Sequence, residues 1–279
     1  MRLNTNVSSL QAQRAVTEHV KDMQNSSGKL SSGQRVRTAS DDAASLSIGT
    51  QLKSKERSTL QAIRNTSEAV SEFQVAEGAF NELSSMVSRL HELSVQAATD
   101  TVDDNQRNMI NMEYMQLREE IERVSASTSF NGKKLLEVGS LDPTMDYQIG
   151  VKNDPASRMS YKSENVTVNE FKLDLVDSHV RTKTDAQINL GYVSKAVEKL
   201  AGQRAYLGSM QTRLTHVTNH LENDRLQTAD SASKIMDADM ASESAALLKA
   251  QMLTQGATGV LAQANNLGAS SLTLLKKMS

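Results

Sequence analysis

The amino-acid sequence predicts a mainly α protein, an elongated helical coiled-coil bundle formed by the N- and C-terminal segments with a small β-hairpin region in the middle. Only two prolines occur in 279 residues, and both lie in one short window, at Pro143 and Pro155. Because proline interrupts helices, the flanks can form long ones. Five tyrosines, four phenylalanines, no tryptophan and a hydrophobic fraction of 38 % leave too few large side chains for a thick core.

The flanks carry the helical pattern, since their apolar residues recur in steps that average 3.5 positions. This spacing predicts narrow apolar stripes that pack as a slender coiled-coil bundle. Ser40 or Asp41 is the expected N-cap of a helix that starts at Ala43, and Asp42 complements its dipole. The stripe residues are Leu60, Ile63, Val70, Phe73, Phe80, Leu83, Val87 and Leu90, then Ile110, Tyr114, Leu117, Ile121 and Val124, then Val193, Val197, Leu200, Leu207, Met210, Leu214, Val217 and Leu221.

The middle of the chain, at residues 141–180, loses this spacing and contains turn-forming residues. Residues 145–149 and 166–173 alternate between apolar and polar, which predicts two short strands in a hairpin. The Asn131-Gly132 pair predicts a turn at the end of the preceding helical stretch.

Charge and composition exclude several classes of protein. Thirty-one basic residues against thirty-three acidic ones give a net charge of −2, so no basic surplus exists for nucleic acid. The absence of cysteine excludes disulfides and thiol catalysis. No apolar run approaches the roughly 18 residues that span a bilayer, so no membrane insertion is expected. The N-terminus lacks the apolar segment of a secretory signal peptide, so any secretion is expected to use another signal.

No catalytic, cofactor-binding or metal-ligating residues are predicted, and no enzyme activity. The His91-Glu92 pair resembles the start of a zinc-protease motif, but the residue four positions on is valine. His216 and His220 share a helix face without a third ligand, and a solvated face or a subunit contact explains them better. Asp41 and Asp42 could pass for a catalytic pair of carboxylates, but helix capping explains them. The chain also lacks a nucleophile–base arrangement and a glycine-rich phosphate loop.

The two ends have few large apolar side chains for their length. Residues 2–40 hold eight of them, and residues 235–279, although rich in Ala and Leu, include Gly256, Gly259 and Gly268. Burial of so little apolar surface does not offset the conformational entropy lost on ordering. We therefore expect both ends to be mobile in the monomer and to become helical against neighbouring subunits.

Short motifs stand out along both flanks. In chain order they are Leu3-Asn4-Thr5-Asn6, Ser9-Leu10-Gln11-Ala12-Gln13-Arg14, Leu30-Ser31-Ser32-Gly33, Ala39-Ser40-Asp41-Asp42-Ala43-Ala44, Gln74-Val75-Ala76-Glu77-Gly78-Ala79, His91-Glu92-Leu93-Ser94-Val95-Gln96-Ala97-Ala98, Phe130-Asn131-Gly132-Lys133-Lys134-Leu135-Leu136, Leu207-Gly208-Ser209-Met210-Gln211-Thr212-Arg213-Leu214 and Leu261-Ala262-Gln263-Ala264-Asn265-Asn266. They resemble, in the same order, motifs of the bacterial flagellins. The resemblance covers about 1–140 and 183–275, too much of the chain for chance agreement.

The resemblance implies an architecture. Residues 1–42 and 234–279 would form an inner coiled-coil region, the polymer core. Residues 43–180 and 181–233 would form an outer helical region, with the β-hairpin around 141–180. The variable outer domains of many flagellins would be absent, because the middle of the chain is too short for them.

The resemblance also implies a function. The chain would be a secreted structural subunit that self-assembles into the extracellular flagellar filament for swimming motility. Its partners would be other copies of itself, the flagellar cap and junction proteins, an export chaperone and the flagellar type III apparatus. No cofactor is expected. The residues expected in the polymer core are Leu3, Val7, Leu10, Leu247, Leu248, Leu261, Leu272 and Leu275.

A second property implied by the resemblance is recognition by the Toll-like receptor that senses flagellin. In similar flagellins an Arg, a Leu and a downstream Glu carry this recognition, and the matching positions are Arg89, Leu93 and Glu113. An arginine beside a carboxylate and an exposed leucine can form a binding hot spot. The alternative is that these residues are buried subunit contacts in the filament.

Other functions remain as alternatives. A hook–filament junction protein is related to flagellin at both ends, but it is expected to lack the motifs at 74–79 and 261–265, which this sequence has. A soluble coiled-coil binding module would have ordered ends and form a stable dimer. An enzyme would need a site in the middle, where about forty residues leave little room for one.

Overall fold

The structure is a computed structural model that describes residues 6–136, 144–162, 175 and 178–278, with side chains described for 6–136, 145–161, 175 and 178–266. Its elements, in chain order, are α1 Val7–Ser32, α2 Ala43–Ala97, α3 Asp104–Ser127, β1 Ser129–Phe130, β2 Lys133–Lys134, β3 Thr144–Gln148, a 3₁₀ turn Pro155–Ser157, β4 Arg158–Lys162, α4 Lys183–Met236 and α5 Met240–Met278. The prediction of a mainly α fold with a small β region is confirmed. None of the described helices is both long and apolar enough to cross a bilayer.

The chain divides into two compact units. The terminal unit contains Met1–Glu56 and Leu226–Ser279, and the central unit contains Arg57–Arg225. The terminal unit includes α1 and α5. The central unit includes α3, the four strands and most of α2 and α4.

The core of the central unit is formed where the predicted stripes of α2, α3 and α4 meet. Most stripe residues are buried or half-buried in this core. Val197 is an exception, since it is 38 % exposed, so the prediction that it belongs to the buried stripe is wrong. Ala196 takes its place in the core. The buried residues of α4 in this core lie at positions 193, 196, 200, 207, 210 and 214. Together with position 203 they follow steps of three and four, so the buried stripe keeps the coiled-coil period and has a small residue at 196.

A buried polar network links the three helices of this core. The hydroxyl of Tyr114 on α3 lies 3.0 Å from Ser178 Oγ and 3.2 Å from Asn189 Oδ1 on α4. Asn189 Nδ2 in turn donates to Ser94 Oγ on α2 at 3.2 Å. Burial raises the pKa of Tyr114, so its hydroxyl stays protonated. Because each polar group needs a partner from another element, the network favours one alignment of the helices.

Two antiparallel hairpins belong to the central unit. The first pairs Phe130 with Lys133 across Asn131-Gly132, whose φ values of 49° and 78° fit a two-residue hairpin turn. The second pairs β3 with β4, from Thr144 opposite Lys162 to Gln148 opposite Arg158. The strand predicted at 145–149 is confirmed as β3. The strand predicted at 166–173 falls outside the described residues, and β4 is the partner in the structure.

The β4 strand was missed although it alternates in the expected way. Met159 and Tyr161 are buried, whereas Arg158 and Ser160 are exposed. Tyr161 packs on Phe73 of α2, with ring centroids 4.9 Å apart, and stacks on Tyr206 of α4 at 5.8 Å. These aromatic contacts fix the hairpin on the helical core.

The start of α2 shows a different cap from the predicted one. Asp42 Oδ1 accepts hydrogen bonds from the backbone N–H groups of Ala44 and Ser45, so Asp42 is the N-cap. Asp41 instead accepts from the N–H groups of Arg37 and Thr38 and closes the preceding turn. Hydrogen bonds from these turns lower the pKa of both carboxyls.

We expect Tyr114→Phe to lower the free energy of unfolding by about 1–3 kcal/mol, because Asn189 Oδ1 and Ser178 Oγ lose a buried partner. Urea unfolding followed by circular dichroism measures the change. Tyr192→Phe is the matched control, since Tyr192 is partly exposed on α4. Equal stability of the two variants would show that the network does not stabilise the core.

Candidate assembly surface

The terminal unit is built on the pairing of α1 with α5, which run antiparallel. At one end of the pair Asn6 Nδ2 donates to the carbonyl of Ala264 at 2.9 Å, and Ser9 Oγ donates to Asn265 Oδ1 at 2.7 Å. At the other end Lys29 lies 3.9 Å from Glu243. These contacts place the first residues of α1 beside residues 264–265 of α5.

The contact between the two helices is a seam with coiled-coil spacing. Its residues follow steps of three and four on each helix and are buried or half-buried. Many of them are small, so burial of the seam stabilises the pair less than a seam of leucines would. The seam residues are Ser9, Ala12, Val16, His19, Met23, Ser26 and Leu30 on α1, and Leu247, Ala250, Thr254, Ala257, Leu261 and Ala264 on α5.

The opposite side of α5 is apolar or uncharged and is exposed. Its members recur in steps of three and four, and we call them the α5 outer face: Ala241, Ala245, Leu248, Met252, Gly256, Gly259 and Gln263. Leu248 is 59 % exposed and Met252 is 66 % exposed, and a Cβ added to either glycine would meet open space. A helix that is uncharged on both sides is typical of one that is covered on both sides.

The charge pattern of α5 explains why this surface differs from that of α1. Residues 250–275 contain no Asp, Glu, Lys or Arg. The α1 helix, in contrast, carries charged residues such as Arg14, Glu18 and Lys21 on its exposed side. An uncharged stretch of this length in a sequence with 23 % charged residues is the signal that could have identified Met252, Leu253 and Val260 as surface candidates.

The residues predicted for the polymer core fall into three groups. Val7, Leu10 and Leu248 are each at least half exposed. Leu247 and Leu261 are half-buried and belong to the seam within the chain. Leu3 and the side chains of Leu272 and Leu275 lie outside the described part of the structure.

A backbone bridge closes the terminal unit where α1 and α4 end. Gln34 pairs with Asp237 in an antiparallel bridge, Arg35 N–H donates to Met236 O at 2.7 Å, and Ala238 N–H donates to Gly33 O at 2.9 Å. Gly33 adopts the left-handed conformation that ends α1, with φ at 66°. The two connections, α1 to α2 and α4 to α5, are therefore held side by side.

The predicted receptor residues lie on α2 and α3 of the central unit. The Arg89 guanidinium is 2.8 Å from Glu113 and 3.0 Å from Glu92, and all three side chains are about half exposed or more. Hydrogen bonds to Glu92 and then Glu113 raise the pKa of Arg89. Leu93, however, is 1 % exposed and packs in the core, so the expectation of an exposed leucine is wrong.

The histidines show no arrangement for metal binding in the described residues. His216 and His220 are both exposed on α4, and His91 is half-buried on α2. No group of three His, Cys, Asp or Glu side chains within that part of the chain is placed to hold an ion.

Comparisons with known proteins identify the family. The model for the bacterial flagellin N-terminal helical region matches residues 3–139, and the model for the bacterial flagellin C-terminal helical region matches residues 190–275. The flagellin of Halalkalibacterium halodurans is 34 % identical over 278 residues, which cover 99 % of this chain and all of that protein. The chain belongs to the bacterial flagellin family. Flagellins are structural subunits of the flagellar filament, which they form by self-assembly and which serves motility.

A further relative agrees with this family, and two solved structures have a similar fold. The flagellar filament 33 kDa core protein of Treponema phagedenis is 34 % identical over 289 residues, covering 99 % of this chain and all of that protein. The crystal structure of Bacillus cereus flagellin has a TM-score of 0.51 at 24 % identity and covers 57 % of this chain and 88 % of that one. A putative flagellar hook-associated protein from Vibrio parahaemolyticus has a TM-score of 0.60 at 12 % identity, covering 71 % and 100 %. The two structures show a shared fold.

We expect Met252→Lys to prevent filament growth or to raise the critical monomer concentration at least about tenfold, because burial of an unpaired charge between subunits is costly. Sedimentation of seeded protein measures this concentration. Met252→Leu, which keeps size and polarity, is the control. The monomer should melt as the wild type does, since Met252 is 66 % exposed. Normal assembly of Met252→Lys would exclude the α5 outer face from subunit contacts.

Proposed function

We propose that this flagellin assembles through its terminal unit, with residues 1–42 and 234–279 forming the polymer core and residues 43–180 and 181–233 the outer region. The observation that carries the proposal is the α5 outer face, which is exposed and uncharged although α5 already contacts α1 along its other side. Neighbouring copies would cover this face in the filament. The predicted contacts Val7, Leu10 and Leu248 are exposed in the single chain and are available for this role.

Assembly of this kind supplies the stabilisation that the terminal unit lacks. The small residues of the seam bury little apolar surface, so the energy that orders α1 and α5 comes largely from contacts between copies. Heterologous contacts between copies that do not close a ring would repeat without limit. An open helical filament of identical subunits follows.

The remaining parts of the proposal rest on the family. The subunit would be exported by the flagellar type III apparatus with a chaperone and would fold at the tip of the filament outside the cell. Cap and junction proteins would contact it there. The chain would act as a structural protein without catalysis, cofactor or nucleic-acid partner. Its middle segment would take the place of the variable outer domains of longer flagellins.

Two other assignments make different predictions. A hook–filament junction protein is the first, and the putative flagellar hook-associated protein has a similar fold. It would end assembly after a few copies instead of growing a long filament. A soluble coiled-coil module would form a dimer of fixed size and would have helical ends in isolation.

Seeded assembly separates these functions. Purified full-length protein is incubated with short filament seeds and followed by electron microscopy and sedimentation, beside a version that lacks residues 2–40 and 236–279. We expect long filaments from the intact chain and monomers from the shortened one, because the shortened chain lacks α1 and α5. A discrete dimer with protease-resistant ends would favour the binding module, and short limited assemblies would favour the junction protein.

Receptor recognition is a second proposal, supported by the exposed ion pairs of Arg89 with Glu92 and Glu113. A receptor would contact Arg89 and Glu113 directly. Leu93 lies beneath them in the core and would support the helix that presents Arg89. This assignment concerns the free monomer, in which the side chains of Arg89 and Glu113 are accessible.

We expect Arg89→Ala to weaken binding of the monomer to the receptor ectodomain about tenfold or more, because arginine hot spots contribute about 2 kcal/mol or more at interfaces. Surface plasmon resonance measures this affinity. Arg123→Ala on α3 is the control, since Arg123 is also exposed and paired with a carboxylate, Glu120. Equal binding by the two variants would contradict the receptor assignment.

A further inference from the structure

Three methionines recur at every third position of α3, as Met109, Met112 and Met115. An even spread of the thirteen methionines of the chain would put fewer than one in a window of this length. Met109 is 66 % exposed and Met112 is 60 % exposed, whereas Met115 is half-buried. Because thioether sulfur is a soft metal ligand, the repeat presents metal ligands to solvent.

The surface of α3 around these methionines is otherwise polar. Asn105, Asn108 and Gln116 are exposed beside Met109 and Met112. A stable protein interface buries about 800 Å² on each partner, which is more than two methionine side chains present. Two methionines bordered by amides are therefore too small an apolar patch to form a subunit contact of their own.

The nearby arginines are all paired. Residues 108–117 contain no Lys or Arg. Arg107 is 7 % exposed and its Nε donates to the carbonyl of Ala97 at 2.9 Å, while Arg118 donates to the carbonyl of Leu175 at 3.5 Å. The guanidinium of Arg89 on α2 is paired with two carboxylates. Repulsion of a metal cation at the methionines is therefore small.

The helix that carries the methionines is held at its start and in its middle. A capping box begins α3, in which the backbone N–H of Asp103 donates to Gln106 Oε1 at 3.2 Å. The hydroxyl of Tyr114 is hydrogen-bonded in the core. Since residues two apart lie on nearly opposite sides of a helix, burial of Tyr114 turns Met112 outward. The ligands thus project from a fixed element.

Helical spacing brings neighbouring sulfurs within reach of one ion. The Cβ atoms of residues three apart are about 5–6 Å from each other. Metal–sulfur bonds of about 2.3 Å place two sulfurs on opposite sides of an ion roughly 4–5 Å apart. The three rotatable bonds of methionine allow this adjustment. An ion therefore fits between Met109 and Met112 or between Met112 and Met115, and Met112 belongs to both pairs.

The ligand type determines which ion this site would hold. Thioether ligands select Cu(I), whereas zinc prefers imidazole, thiolate and carboxylate groups, and magnesium and calcium prefer oxygen. The chain has no cysteine that would compete for Cu(I). Within the described residues, no cluster of three His, Asp or Glu side chains offers a site for the harder ions.

We propose that α3 binds Cu(I) through the thioether sulfur of Met112 together with that of Met109 or Met115. The ion stays Cu(I) throughout, so binding transfers no electron. The site belongs to the central unit and does not depend on the assembly of the terminal unit.

Methyl NMR of the full-length monomer with ¹³C-labelled methionine methyl groups tests the proposal. The protein is titrated without oxygen with the tetrakis(acetonitrile) salt of Cu(I). We expect the Met112 methyl resonance to shift with saturation. The resonance of Met252, which is 66 % exposed on α5 but has no methionine three or four positions away, should stay unchanged. Zinc sulfate and acetonitrile alone should move neither resonance.

Met112→Leu then identifies the shared ligand. We expect this variant, followed at the Met109 methyl, to bind Cu(I) at least about tenfold more weakly, because each sulfur pair includes Met112. Leucine keeps the size and helix propensity of methionine, so the fold is retained. Met252→Leu makes the same replacement on α5 and should bind as the wild type does.

Four results would overturn the Cu(I) site. Cu(I) leaves the Met112 methyl unchanged, zinc sulfate shifts it as Cu(I) does, the Met252 methyl shifts over the same Cu(I) concentrations as that of Met112, or Met112→Leu binds Cu(I) as tightly as the wild type. The first three results come from the wild-type chain and do not depend on the folding of any variant.

Discussion

The architecture of the terminal unit depends on the seam between α1 and α5. The seam has the spacing of a coiled coil, but small residues such as Ala12, Ala250 and Ala264 occupy many of its positions. Small residues let two helices approach closely while they bury little apolar surface. The pair is therefore aligned within one chain, while apolar side chains of α5 such as Leu248 and Met252 stay exposed.

The central unit, in contrast to the seam between α1 and α5, is packed with large side chains. Its core contains large side chains such as Phe73, Phe80 and Leu90, and the network around Tyr114 joins its helices. These buried side chains and hydrogen bonds stabilise the central unit through contacts within a single chain. In the proposed assembly the central unit would hold its shape before assembly, and contacts between copies would add stability to the terminal unit.

The sequence predicted those features of the fold that depend on a regular spacing of apolar residues. Its predictions failed for residues whose position depends on a single contact. Helices and most of the core stripe followed from the 3.5-residue spacing, whereas Ala196 replaced Val197 because side-chain size does not reveal the register. Asp42 rather than Asp41 caps α2, since the choice depends on the turn at residues 37–41. The burial of Leu93 and the partner of β3 depend on packing between distant segments.

If neighbouring subunits cover the α5 outer face in the filament, as we propose, methionine oxidation measures this coverage directly. Met252 and Met109 are both 66 % exposed in the single chain, so dilute peroxide should oxidise them at similar rates in the monomer. In seeded filaments we expect the oxidation of Met252, followed by mass spectrometry, to slow at least about tenfold, since burial removes access to the sulfur. An unchanged rate for Met252 in filaments would show that its face remains exposed to solvent and that neighbouring subunits do not cover it.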